Sequence, residues 1–218
     1  MLGGPLGPGR YSFARLNLDK IFHKLTFVIP QLARFMRRTT RFQALNFNEA
    51  GVDFDAFGVQ VKLLSPTQNL NEKSVLRISC QELGPQISAV AQVFTSFIAS
   101  IYMVKRLYIF GSLRMPSRQQ NVVLNMQWLE MFQPFPAVKN LYLSKAFASR
   151  IALALQELIG GSVAEVLPTL QNVFLEMFQP SGPVQEAIVR FFAEREHLGL
   201  FVAIFDWNRT LEAVLHRF

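Results

Sequence analysis

A pattern of six residues recurs along the chain, with apolar side chains at positions one, four and six and an aromatic ring at position five. The copies begin at Val104, Val138 and Leu170 and, in looser form, at Phe42, Val75 and Phe201. Alternation of apolar side chains in a short segment rich in β-branched and aromatic residues is typical of a β-strand. The pattern therefore predicts six related strands, with Leu107, Leu141 and Val173 buried at the fourth position.

The copies follow one another at intervals of about thirty residues, a period typical of solenoid architectures with one helix between successive strands. Apolar residues at helical spacing predict such helices at 86–100, at 121–132, at 145–159 and after Ser181. Strands that are joined through a helix run parallel in one sheet. We predict an α/β fold in which the six strands form one curved parallel sheet with helices mainly on one side.

One region breaks the period. An alternating segment at 59–63 is followed by a polar turn at 65–72 and by the copy that begins at Val75. This order favours a β-hairpin. We therefore expect a hairpin inserted at about 57–80 into a single repeat domain at 16–218, after a flexible Gly- and Pro-rich lead at 1–15.

Composition narrows the class of protein. Half of the 218 residues are apolar and 21 are Phe, which excludes general disorder. The net charge of +7 permits acidic partners. A predicted helix at 28–40, together with the residue that follows it, carries four of the basic residues, which form either a solvated face or a phosphate-binding patch: Arg34, Arg37, Arg38 and Arg41.

Cys80 is the single cysteine and excludes an internal disulfide, so a reducing, intracellular setting is the simplest expectation. At the sixth position of its copy it is predicted to be a small core residue.

The 18 uncharged residues at 87–104 reach the lower limit for a membrane span. Their polar side chains favour a buried amphipathic helix that leads into a strand, and no membrane span is expected.

Nothing in the sequence predicts catalytic, cofactor-binding or metal-binding residues. The histidines His23, His197 and His216 lack the spacing of a metal site or a catalytic triad. Glu194 and Glu196 point apart on a helix and do not form a dyad. Phosphate-binding loops and nucleophile elbows are also absent from the sequence, so an enzyme is not expected.

Six blocks of the sequence resemble the C-terminal part of a large family of mushroom-forming fungi whose members are described as F-box or leucine-rich-repeat-like proteins. The blocks are VFTSF (93–97), MQWLE (126–130), PFPAVKNL (134–141), ALQEL (154–158), EVLPTLQ (165–171) and QPSGPVQE (179–186). The resemblance implies a leucine-rich-repeat-like β/α solenoid fragment. It also implies that longer members recruit Skp1, a ubiquitin-ligase subunit, through an N-terminal F-box while the repeats hold a substrate.

The opening residues contain no F-box-like Leu-Pro-x-Glu start, so this chain by itself is not expected to bind Skp1. The ninth position of the repeats holds Ser112, Ala146 and Phe178 in place of the asparagines of a strict leucine-rich repeat.

Two function classes follow. The first is a non-enzymatic protein–protein interaction module, without cofactor, that forms the substrate-recognition part of an F-box-type adaptor or acts independently of one. The alternative is a basic module that binds nucleic acid or an anionic surface, although no aromatic residue shares the arginine side of the predicted helix as single-strand binding would require.

The predicted strands place positions three and five on the face opposite the helices. Six side chains should line up there across neighbouring strands and form the partner-binding surface: Arg106, Tyr108, Asn140, Tyr142, Asn172 and Phe174. Either these residues lie on an open concave face, or a second layer covers them and they belong to the core.

Overall fold

The computed structural model describes residues 46–65, 74–79, 82–111, 122–158, 163–176 and 183–207. Seven strands are found in these ranges: β1 (Glu49–Asp55), β2 (Gly58–Leu64), β3 (Ser74–Ser79), β4 (Arg106–Gly111), β5 (Asn140–Leu143), β6 (Asn172–Glu176) and β7 (Ala203–Trp207). Five helices accompany them: α1 (Leu83–Ser96), α2 (Ile98–Ile101), α3 (Val122–Phe132), α4 (Lys145–Gln156) and α5 (Pro183–His197). Several predicted features lie outside the described residues: the lead at 1–15, the helix at 28–40 with its four arginines, Cys80, His23, His216 and the proposed helix cap Ser181.

The strands form one sheet in the order β3-β2-β1-β4-β5-β6-β7. The pairs β1–β4, β4–β5, β5–β6 and β6–β7 are parallel, and β2 is antiparallel to both of its neighbours. The protein is therefore a mixed α/β protein with a mostly parallel sheet. This confirms the predicted parallel pairing for the copies that begin at Val104, Val138, Leu170 and Phe201.

Three copies also share the turn that leads into the strand. The amide of the first residue donates to a carbonyl three residues earlier in each of them, as in Val104 to Ile101 at 2.9 Å and Leu170 to Leu167 at 3.0 Å. Hydrogen bonds between neighbouring copies begin in this turn. The amides of Lys139 and Asn140 both donate to the carbonyl of Lys105, at 2.9 and 3.0 Å. The six-residue pattern thus covers a turn and a strand, and each strand begins at its third position.

The inserted hairpin is confirmed in its pairing but is larger than predicted. β2 and β3 are antiparallel, and β1 precedes them as a third strand that was not predicted. Ala56 and Phe57 form the two-residue connection between β1 and β2, and a connection this short requires antiparallel neighbours. Residues 49–79 therefore contribute a three-stranded meander.

The two looser copies in this region have different outcomes. Residues 46 and 47, the described end of the copy at Phe42, precede β1 and are not part of a strand, and the rest of that copy lies outside the described residues. The copy at Val75 forms the predicted strand as β3, which runs in the same direction as β1 but is separated from it by β2. Because the meander occupies one side of β1, the copy at Val104 pairs directly with β1 on the other side.

The helices pack on one face of the sheet. In α1, Ile87, Val90, Ala91 and Phe94 are buried at the spacing of an apolar stripe. The helix predicted at 86–100 is interrupted near Phe97. Just before this point the Thr95 and Ser96 hydroxyls donate to carbonyls four residues earlier, at 2.8 and 2.7 Å, a pattern that bends helices.

The main core lies between the helices and the inward-facing strand residues. Leu107, Leu141 and Val173 are buried in it, as predicted from the fourth position. A smaller apolar cluster lies on the opposite face of the sheet, where Tyr108, Phe110, Tyr142 and Trp207 pack together with Phe174.

Candidate functional site

The six predicted partner-binding residues align in two rows across β4, β5 and β6. Arg106 pairs in register with Asn140, and Asn140 with Asn172. Tyr108 pairs with Tyr142, and Tyr142 with Phe174. The predicted alignment is confirmed, since parallel strands in register place equivalent positions of successive copies side by side.

The first row is polar, and its side chains form an ion pair with a residue of β1 and a hydrogen bond within the row. Arg106 forms an ion pair with Glu49 of β1, and Glu49 is buried. The Asn172 amide group donates to the Asn140 carbonyl oxygen at 2.7 Å. One contact joins β1 to β4 and the other joins β5 to β6, so the polar row contributes to the stability of the sheet.

The second row is a stack of aromatic rings. The ring centroids of Tyr108 and Tyr142 lie 4.3 Å apart, and those of Tyr142 and Phe174 lie 4.4 Å apart, with nearly parallel planes in both pairs. Phe205 of β7 extends the stack at 5.1 Å from Phe174. Offset stacking at these distances is favourable beyond the burial of apolar area.

Trp207 joins this row at the carboxyl end of the sheet. β5 ends at Leu143, opposite Ile109, so β5 contributes no strand residue beside Phe110. The indole of Trp207 lies 5.6 Å from the Phe110 ring and 5.4 Å from the Tyr142 ring. In a flat sheet the backbones of β4 and β7 would be about 14 Å apart. The indole therefore reaches back over the end of β5.

Exposure changes along the aromatic row. Tyr108 is 1% exposed and Tyr142 6%, Phe174 is half-buried, and Phe205 is 44% exposed. Of the two alternatives for this face, burial as core residues therefore holds for Tyr108 and Tyr142. The accessible part of the row lies at β6 and β7.

Two residues of this surface, Phe205 and Trp207, were not predicted as site residues. Phe205 stands at position five of the copy that begins at Phe201, so the same pattern that selected Tyr142 contains it. Trp207 lies one residue beyond the six-residue pattern. Its contact with Phe110 depends on the short length of β5, which the pattern does not encode.

Other chemistry is sparse in the part of the chain that the structure describes. No group of three or more His, Cys, Asp and Glu side chains could hold a metal ion there. His197 is exposed at the end of α5. Among the described helices, none combines the length and hydropathy that crossing a membrane requires.

Arg195 is fully buried between two exposed or half-buried glutamates of α5. Its guanidinium donates four hydrogen bonds of 3.1 to 3.3 Å to the carbonyl groups of 163 and 166–168, in the turn before β6. Burial lowers the pKa of Arg195 because desolvation disfavours the charged form. The contacts go to backbone carbonyls of the protein itself, so the role of this arginine is structural.

A scan against protein-family models found no match, and neither did searches of curated proteins and of solved structures. The resemblance to the fungal F-box and leucine-rich-repeat-like family therefore stays a prediction from the sequence.

Proposed function

We propose that the protein is a non-enzymatic protein–protein interaction module, built as a leucine-rich-repeat-like β/α solenoid fragment with an inserted β-hairpin. The shared turns, the ladder of hydrogen bonds between copies and the layer of helices on one face support the repeat architecture. In longer chains of the same kind it would hold the substrate of an F-box-type adaptor.

The observation that carries the proposal is the exposure of the last copy. Position one is buried in Val104, Val138 and Leu170, yet Phe201 is 70% exposed. Position five shows the same change, from Tyr108 to Phe205. In a solenoid the apolar side chains of one repeat are covered by the next, so exposed apolar side chains on the last described copy leave a surface that a partner can cover.

This surface, the β7 end, is defined by Leu198, Phe201 and Phe205. All three are exposed and apolar. Among the described strands, β7 pairs only with β6. Exposed aromatic side chains beside a strand edge suit a partner that adds an extended segment to the sheet and packs its side chains on the rings.

The test compares proteins captured from a lysate of the organism of origin by the wild-type chain and by Phe205→Ser. We expect the captured amount of at least one protein to be about tenfold lower with the variant than with the wild type, because the variant removes a central aromatic contact. Val189→Ser is the matched control, since Val189 is similarly exposed on the outer side of α5. It should leave the same captured protein unchanged.

Equal capture by the wild type and Phe205→Ser would contradict the proposal, provided that both unfold at nearly the same denaturant concentration. Immunodetection of Skp1 in the same eluates addresses the adaptor role separately. We expect Skp1 to be absent from eluates of this chain, and its presence would contradict the prediction that this chain by itself does not bind Skp1.

A further inference from the structure

A second exposed surface lies at the amino end of β4, on α2 and the turn that connects it to β4. Tyr102 is 55% exposed and Met103 50%, and Ile98 is exposed beside them. They lie in the second half of the uncharged segment 87–104, whose other large apolar side chains are buried. The exposed side chains therefore contribute little to the core.

Two lysines border this turn. Lys105 and Lys139 are both exposed and occupy position two of successive copies, where the Lys139 amide donates to the Lys105 carbonyl at 2.9 Å. Backbones of neighbouring strands lie about 4.8 Å apart, and like charges at directly opposite positions are destabilising. The fold thus gains nothing from this pair of charges.

Within the described residues, neither lysine forms an ion pair. The ion pairs that join Arg106 with Glu49 and Arg77 with Asp55 involve other cations. Residues 97–105 and 131–156, which surround the lysines in sequence, contain no Asp or Glu. Among the described residues, the patch therefore combines two lysines that lack an ion-pair partner with accessible apolar side chains.

We propose that this lysine–apolar patch, formed by Ile98, Tyr102, Met103, Lys105 and Lys139, binds an acidic polypeptide segment of a partner protein. Its carboxylates would lie between the two ammonium groups, and its apolar side chains would pack on Tyr102 and Met103. The patch is separate from the β7 end, so the inference goes beyond the interaction surface proposed above.

The composition of the patch favours a polypeptide over other anionic partners. Two lysines are fewer than the polybasic cluster that supports binding to an anionic membrane. Single-stranded nucleic acid requires several stacking rings along a basic groove, and Tyr102 is the one aromatic residue of the patch. Tyrosine and methionine are both enriched in protein interfaces.

The test uses fluorescein-labelled synthetic peptides and fluorescence anisotropy with the full chain. One peptide repeats Glu-Glu-Leu-Phe, a second repeats Gln-Gln-Leu-Phe, and a third repeats Glu-Glu-Ser-Asn. We expect the first peptide to bind about tenfold more tightly than either of the others, with an affinity that falls as salt is added.

Two double variants locate the binding. Lys105→Gln with Lys139→Gln, and separately Tyr102→Ser with Met103→Ser, should each weaken binding of the first peptide by about tenfold. Lys62→Gln with Lys145→Gln removes one lysine from β2 and one from the start of α4 and should change the affinity by less than about twofold. Unfolding midpoints close to that of the wild type would show that every variant is folded.

Three results would overturn the proposal. The first is no binding of the first peptide up to about 1 mM. The second is an equal loss of affinity in the control pair. The third is tighter binding of phosphatidylserine vesicles or of a single-stranded oligonucleotide that depends on Lys105 and Lys139, which would assign the patch to a membrane or to nucleic acid.

Discussion

At the scale of the residue, Arg195 shows how position along a helix decides burial. It continues the apolar stripe of Ile188, Phe191 and Phe192 at helical spacing, and this spacing points its side chain into the core. Its charge is accommodated because the turn before β6 directs carbonyl groups at it, with Leu167 in the left-handed conformation at φ 50°. Sequence spacing could have predicted the burial of Arg195, whereas its carbonyl partners depend on the conformation of that turn.

Replacing Arg195 with methionine should lower the free energy of unfolding by about 3 to 5 kcal/mol, since several buried carbonyl groups would lose their hydrogen bonds. Urea unfolding of the variant and the wild type gives this difference. The control is Arg190→Met, an exposed position on the same helix, where we expect a change within about 0.5 kcal/mol. Similar losses in both variants would show that the contacts of Arg195 are not the cause.

At the scale of the element, the strands β4, β5 and β6 could be predicted because each combines buried positions four and six with an aromatic residue at position five, and β7 keeps the apolar fourth and aromatic fifth positions. Their first residues could not be placed from the pattern, since Val104, Val138 and Leu170 are buried in the turns and resemble strand residues in sequence. A residue in a packed turn and a residue in a strand present the same apolar signal.

β1 was missed although Ala50, Val52 and Phe54 alternate along it and are all buried. Its intervening residues are Glu, Gly and Asp, which are depleted in strands and weaken the signal. The three-stranded meander also has no counterpart in the repeat, so the period could not indicate where it pairs.

The fourth position gives a direct test of the repeat. Leu141→Ala removes a fully buried side chain from β5 and should cost about 2 to 5 kcal/mol through lost transfer free energy and a residual cavity. Chemical denaturation measures the loss. Leu153→Ala is the matched control, because Leu153 is exposed on α4, and a loss in Leu141→Ala no larger than in this control would contradict the assigned face of the strand.

At the scale of the whole molecule, burial declines toward β7. The fourth-position residues Leu107, Leu141 and Val173 are buried, whereas Ile204 is partly buried, and Phe205 at position five is exposed. Regions with less buried apolar surface open at lower free energy than the rest of a protein. We therefore expect β7 to separate from the sheet before the other strands do.

The two tryptophans give this difference an optical readout. Trp128 is fully buried on the helix side, whereas Trp207 packs on Tyr108, Phe110 and Tyr142 from the last strand. In Trp128→Phe, intrinsic emission comes from Trp207 alone, and in Trp207→Phe it comes from Trp128 alone. In each variant, the urea dependence of tryptophan emission is compared with that of the far-ultraviolet circular dichroism signal. A change in overall stability shifts both signals together, so only a difference between them reports on β7. Emission of Trp207 should change at lower urea concentration than the circular dichroism signal, whereas emission of Trp128 should change together with it. If emission and circular dichroism coincide in both variants, β7 unfolds together with the core.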